Sequence, residues 1–379
     1  GSLVVIRPSG LLAASGVTAM EPEVAYLDDL PVLFPCDSGS IPFDIFSAAF
    51  YMLSRYEEYL PFAPDVHGRY QGVRSLAFRK GFLQMPVVEM WSRYLAGLLV
   101  KSYPVLSIRH NEFSSLVTVD VDQPFAYRSR GLLRSVGGLM KGLAGTGARP
   151  AERIRTMAGS QADPYDNFEY IEQQLQFKGS DALFFFPTGD QGEYDHSPPY
   201  RDHDYREIIR KYDKMYGSGL HPSYRSAGRP KTLRMETDRY RSITGHGPER
   251  ARQHWLLLSM PETYQSYIDA GIRTDYTMGY ADEPGFRAGI ARPFPFYDLS
   301  REKITGLTIV PFQVMDGTLR QYLHLSPDAA LAVIRSLIAA TRRAGGMFVS
   351  VWHNTSLTEM NGWEGWRKVF EETLTLQKV

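Results

Sequence analysis

Residues 114–125 read Ser-Ser-Leu-Val-Thr-Val-Asp-Val-Asp-Gln-Pro-Phe (SSLVTVDVDQPF). An apolar, β-branched run, Leu116 to Val119, carries straight into Asp120 and Asp122 and is stopped by Pro124. Such runs are buried strands of parallel sheets, which present functional side chains at their carboxyl ends. Residues i and i+2 share one face of a strand, so both carboxylates can reach one cation or one reacting atom.

Strands and helices alternate on the C-terminal side of this stretch. Asn167–Gly179, Asp202–Gly219, Lys231–Gly245 and Pro261–Gly271 are expected helices closed by glycine, and Asp181–Asp190 is an expected strand with its turn at Pro187 and Gly189. Ser326 caps a strongly periodic helix to Gly346, and MFVSVWHN (347–354) is the strand behind it. This alternation implies βαβ units with parallel pairing. Phe286–Leu319 interrupts it with short apolar runs broken by prolines, which suits antiparallel strands or extended loops inserted in a barrel. Phe125–Arg155 is basic and Gly-rich without a GxxxxGK[ST] pattern, and reads as a solvated loop with helical pieces.

On the N-terminal side, residues 1–112 read as a separate, smaller α/β unit. Leu3–Arg7 and Val24–Phe34 suggest short strands. Phe43–Leu60 is an expected amphipathic helix with Phe43, Phe46, Phe50, Leu53 and Leu60 on one face and Arg55, Glu57 and Glu58 on the other; Met85–Pro104 is a second helix. The fold class expected is therefore α/β: an irregular (β/α) barrel of about seven strands over 113–379, preceded by an α/β accessory domain over 1–112. The 379 residues suffice for both, since such barrels take ~250.

Composition excludes several classes. With 43% hydrophobic and 22% charged residues the chain is ordinary globular protein, and 42 basic against 42 acidic side chains leave no broad electrostatic footprint for nucleic acid. No window is apolar enough to span a bilayer, and no leader is visible, so a cytoplasmic location is expected. Cys36 is the only cysteine, which rules out an intrachain disulfide or a cysteine-based zinc site. Any metal must be held by histidine and carboxylate.

Three histidines fall at predicted strand ends, the structural position of the Asp pair: His221 in GLHPSY, His254 in RQHWLL and His353 in VSVWHN. Strand carboxyl ends of a barrel converge on one face, and Asp with His there is a metal-site composition. A divalent ion with an open position lowers the pKa of a bound water and polarises a carbonyl, which points to hydrolysis. His67, His110, His196, His203 and His324 lack this context, and His246 lies in a GHGP turn that could approach the site.

The order TVDVD, GLHPS, an Arg-bearing strand and a terminal strand ending in His353 resembles the polysaccharide deacetylase superfamily, the carbohydrate esterase family 4-like or NodB-type fold. The resemblance covers about two thirds of the chain, from roughly Ser114 onward, and extends to a bacterial subgroup with an added N-terminal domain. It implies Asp120 as general base, Asp122 and His221 as metal ligands, Arg252 as the residue orienting the base, and His353 as general acid. The family's second motif places another histidine four residues after the first, where this chain has Arg225. His254, with Arg252 at i−2 on the same face, is the substitute ligand on positional grounds; Arg292 is a rival for the orienting arginine.

The function expected is metal-dependent removal of an acyl group, N-acetyl foremost, from a sugar or polysaccharide, with Zn2+ as the expected ion. Arg225, Arg287, Tyr224 and Trp352 are candidate substrate contacts. The alternatives are hydrolysis of a non-sugar amide or imide on the same fold, and a catalytically silent carbohydrate-binding or scaffold protein.

Overall fold

The computed structural model describes residues 3–128 and 150–378. The expectation for Phe125–Arg155 thus lies largely on 129–149, outside the described residues; Pro150–Met157 is helical.

Eleven strands are described. β1 (Val24–Leu27) and β2 (Leu30–Leu33) form an antiparallel hairpin. The other nine are β3 (Ser114–Asp120), β4 (Ala182–Phe186), β5 (Ser218–Leu220), β6 (Arg250–Ala251), β7 (Thr274–Asp275), β8 (Phe294–Asp298), β9 (Lys303–Ile309), β10 (Val314–Met315) and β11 (Met347–His353). They make one sheet in the order β10-β11-β3-β4-β5-β6-β7-β9-β8, parallel throughout except for the β8–β9 pair. The antiparallel pair lies inside the proline-broken segment.

The α/β class with a large parallel sheet is as expected, the described strands of the sheet number nine where about seven were expected, and closure into a barrel is not shown. The sheet has nine strands, and β10 and β8 are its two ends rather than neighbours. The link from β9 to β10 straddles the gap: Phe312 N–H donates to the Met278 carbonyl and Gln313 N–H to the Val349 carbonyl.

The period-2 pattern of β3 divides the molecule. Val117, Val119 and Val121 pack with Phe184 and Phe186 against helices Phe168–Lys178, His203–Tyr216, Pro327–Ala344 and Trp366–Leu376. The other face carries Phe185, Val349 and Val351 in a smaller apolar cluster with Tyr276 and Phe312. Asp120 belongs to that second face and pairs in register with His353 of β11. The helix termini follow the local rules: Ser326 accepts from Ala329 N–H, and Gly179 closes its helix at φ 56°.

The expected helix over Phe43–Leu60 is shorter, and its polar face is not polar outward. The helix spans Ile45–Leu53, Arg55 turns left-handed at φ 54°, and a 3-10 turn follows over Tyr56–Tyr59. The turn tucks Arg55, Glu57 and Glu58 inside while Phe46 stays exposed. Arg55 donates to Glu57 (2.8 Å), Glu58 (2.9 Å) and the Tyr280 hydroxyl (2.8 Å). Glu58 also takes both Nε (2.9 Å) and Nη2 (2.6 Å) of Arg287. The charges of Arg55, Glu57 and Glu58 look like a solvated face in sequence; only the partner 229 residues from Glu58 makes them a buried network. Tyr280 and Leu299 also complete the apolar core built around Phe43, Tyr51 and Trp91.

Glu58→Leu is expected to leave the buried Arg287 guanidinium without a carboxylate and Arg55 with Glu57 alone, and to lower stability by about 3–5 kcal/mol, read as a fall in the urea midpoint. A second expectation concerns Glu89, whose Oε1 accepts from Ala291 N–H (2.9 Å) while Oε2 has no partner. Burial outweighs that hydrogen bond and pushes its carboxyl up to about 7. The native state therefore holds more protons than the unfolded chain between the ordinary Glu range and pH 7. Stability should be full at the acid end of this window and fall by on the order of 2–3 kcal/mol toward pH 7. Glu89→Gln should flatten that slope in denaturation measured across pH.

Candidate metal centre

Four strands of the parallel sheet deliver the site residues. β3 ends in Asp120 and continues to Asp122; β5 ends at Leu220 and hands on to His221; β6 leads into Arg252 and His254; β11 ends in His353. One ligand atom from each of Asp122, His221 and His254 lies within 4.8 Å of the others. Asp122 Oδ1 is 3.1 Å from His221 Nε2, and Oδ2 is 3.4 Å from His254 Nε2 and 3.7 Å from His353 Nε2.

The far side of each ring fixes which nitrogen carries the proton. His221 Nδ1 meets the Arg252 carbonyl, His254 Nδ1 meets Asp195 Oδ1 at 2.9 Å, and His353 Nδ1 meets Asp316 Oδ1 at 2.7 Å. A carbonyl or carboxylate only accepts, so each Nδ1 is the donor and each neutral ring presents a bare Nε2 toward Asp122. Lone pairs then face a carboxylate whose Oδ1 is buried. That arrangement repels itself unless a cation sits between. The donor set fits a divalent ion: two imidazoles oriented through Nδ1 and one carboxylate, the pattern by which outer partners aim metal-binding histidines.

Without a metal, protons supply the positive charge. Burial works against His254, but Asp122 and Asp195 outweigh it and raise the imidazole to about 9. Burial opposes His353 likewise, and Asp316 with Asp122 and Asp120 raises it to about 10. Burial would push Asp122 up; attraction to His254 and hydrogen bonds from His221 and His254 hold it well below the usual carboxylate range.

Asp120 is set apart from this group. Arg252 Nη1 donates to its Oδ1 at 2.7 Å, while Oδ2 lies 3.8 Å from His221 Nε2. Arg252 is itself held by the Tyr276 carbonyl (2.9 Å) and by the rings of Phe185 and Phe312. The rival Arg292 instead donates to the Gly345 carbonyl.

Asp120, Asp122, His221, His254 and His353 line one cavity of about 300 Å³, walled in part by Tyr194, Trp255, Tyr322 and Trp363. Directly after His254 the chain turns left-handed at two residues that are not glycine, Trp255 (φ 59°) and Leu256 (φ 53°). Such residues cost on the order of 1–3 kcal/mol each and persist only where surroundings hold them.

The structure separates the other four candidates from this cavity. Tyr224 and Arg225 line a neighbouring polar cavity that shares Tyr194 with the first. Arg287 is buried on Glu58 and the Gly279 carbonyl, and Trp352 is buried against Phe370 with its Nε1 on Ser350. Neither of these two reaches the cavity: Trp352 sits one residue before His353, so the strand alternation sends it to the helix side. His246 pairs with Asp213 instead of approaching the site.

Asp195, Asp316 and Arg69, the last a further residue of the cavity wall, do not stand out in the sequence. Asp316 follows β10 directly, so the strand-end rule applied to Phe312–Gly317 would have found it. Asp195 and Arg69 lie in non-periodic segments, where no local signal distinguishes them.

The sequence of residues 2–104 matches a family of unknown function (DUF7033), and no curated protein matches the chain. Among solved structures, the chain is similar to a protein assigned as a polysaccharide deacetylase from Mycobacterium smegmatis, at 16% identity and TM-score 0.44, over 72% of this chain and 85% of that one. It is also similar to a 4-alpha-glucanotransferase from Thermococcus litoralis, at 13% identity and TM-score 0.39, over 71% and 38% of the two chains. A GH57-type branching enzyme from Pyrococcus horikoshii follows at 9% identity and TM-score 0.38, over 70% and 67%. Likenesses of this degree assign neither a family nor an activity, and the chemistry rests on the site's own geometry. No helix among the described residues is long and apolar enough to cross a membrane.

His254→Ala, which removes one of three candidate donors, is expected to weaken divalent-metal binding by more than the ~10–100-fold typical of an outer partner, and Asp195→Asn by about that smaller amount. Isothermal titration of the metal-free protein checks both. Asp316→Asn, which touches none of the three, should leave the affinity near wild type.

Proposed function

We propose that the chain is a metal-dependent hydrolase that removes an acyl group, N-acetyl foremost, from a sugar or polysaccharide, with residues from 113 onward as the catalytic unit and 1–112 as an accessory unit. The observation that carries this reading is the division of labour around Asp122. Two oriented imidazoles share that carboxylate as a candidate ligand set, while Asp120 on Arg252 and His353 on Asp316 stand beside it as separate proton-handling pairs. Zn2+ is the proposed ion, because imidazole and carboxylate are ordinary zinc ligands and three of them leave a position open. When bound, such an ion acidifies a water and polarises the acyl carbonyl.

The protein's own residues do the rest. Arg252 occupies Asp120 Oδ1 and aims the carboxylate, so Oδ2 is the atom left to accept a proton from the attacking water. His353 holds its Nδ1 proton on Asp316 and turns Nε2 toward the site, where a proton on Nε2 passes to the departing nitrogen or oxygen. Burial of Asp120, His221 and His254 keeps bulk water from screening these charges. The rings of Tyr194, Trp255, Tyr322 and Trp363 suit the apolar faces of a sugar.

Acetate release from N-acetylated oligosaccharides in the presence of Zn2+ tests the reading, with cyclic imides as the comparison substrates. Asp120→Asn is expected to lose about 10²–10⁴-fold in kcat while its Zn2+ affinity stays within a few-fold of wild type. Wild-type turnover by that variant would remove Asp120 from the base role.

A further inference from the structure

The turn over Asp65–Arg69 belongs to the N-terminal unit, yet it ends inside the wall of the candidate metal centre. Arg69 is buried, and its guanidinium makes three separate contacts. Nε donates to Asp65 Oδ2 (2.7 Å), Nη1 to the Trp255 carbonyl (2.9 Å) and Nη2 to the Tyr322 hydroxyl (2.9 Å). Trp255 follows β6 and Tyr322 follows β10, strands five places apart in the sheet, so one side chain bridges two distant parts of the cavity wall.

The turn is built to hold that fork still. Asp65 Oδ1 accepts from the backbone N–H of both His67 (2.9 Å) and Arg69 (2.9 Å), so the same carboxylate shapes the loop and orients the guanidinium. His67 then packs its ring on Trp255, with centroids 4.6 Å apart, and Tyr194 and Tyr224 enclose the same indole. A simple tether between the two units would need only a surface ion pair. Here the donors go to the carbonyl of a left-handed residue immediately after a candidate ligand, and to a hydroxyl across the cavity.

We propose that the N-terminal unit is a working part of the metal centre: the Asp65–Arg69 turn holds Trp255 and Leu256 in their left-handed conformation, so that His254 presents Nε2 to Asp122. Arg69 is on this view a positioning residue. The inference rests on the reading of Asp122, His221 and His254 as metal ligands. Left-handed backbone at two adjacent bulky residues relaxes when its support is removed. Relaxation would swing the His254 ring, whose own anchors are Asp195 and the Pro222 carbonyl accepting from its N–H.

The experiment is Zn2+ titration of full-length wild type, Arg69→Ala, Arg69→Lys and His67→Ala, alongside circular dichroism and thermal midpoints of the metal-free proteins. Arg69→Ala is expected to bind Zn2+ about 10–100-fold more weakly with its fold intact. Lys at 69, with one ammonium in place of a fork, should recover only part of the loss, and His67→Ala should show a smaller loss in the same direction. If Arg69→Ala does not fold, His67→Ala, which leaves the guanidinium in place, decides the matter. Wild-type affinity in the folded variants would overturn the inference and leave the metal reading standing. Absence of any Zn2+ affinity in the wild type would overturn both.

Discussion

The site depends on one electrostatic fact: the Asp122 carboxylate faces three imidazole Nε2 atoms whose far nitrogens are committed to acceptors. Every anchor on the outer side, the Arg252 carbonyl, Asp195 and Asp316, forbids the rings from turning their protons inward as neutral groups. The centre is therefore incomplete without positive charge. Asp120 is kept apart from that group by Arg252, which holds its Oδ1.

The fold supplies the rigidity that this arrangement needs. Parallel neighbours put Asp120 and His353 in register at the ends of β3 and β11, while β5 and β6 hand on His221, Arg252 and His254 within a few residues. Strand ends packed between an inner apolar cluster and an outer helix layer have little freedom to adjust. The sheet has an open side between β8 and β10. There the link from β9 to β10 spans the gap, and the N-terminal unit leans on the segment around Tyr280 through a buried network of Arg55, Glu58 and Arg287. Such a network does not add much stability for its own sake, because desolvation consumes most of its attraction; it fixes which surfaces meet.

Legibility in the sequence followed period and position. The alternation in β3 put Asp120 and Asp122 on one face, an apolar run ends in His353, and His221 and His254 stand where helices give way to the next expected strands; all five line one cavity. Position was misleading where side-chain direction mattered. Trp352 precedes His353 and so points to the helix layer, and Arg287, in an irregular segment, is consumed by Glu58. Arg225 stands where a histidine was expected, and the structure brings His254 from the next strand to that side of Asp122 instead.

What the sequence determined by itself was local: strands of β-branched residues ending in acids and imidazoles, helices closed by Ser326 and Gly179, and a donor set without cysteine. These features depend on backbone periodicity and residue chemistry, which neighbours in the chain decide. What only the tertiary structure decided was which groups face one another across long separations: Asp195 behind His254, Asp316 behind His353, Glu58 beneath Arg287 and Arg69 against Trp255. Each joins irregular segments or distant strands, where no period exists to read. The partner of a charge is set by the packing of the whole sheet, not by the residues beside it.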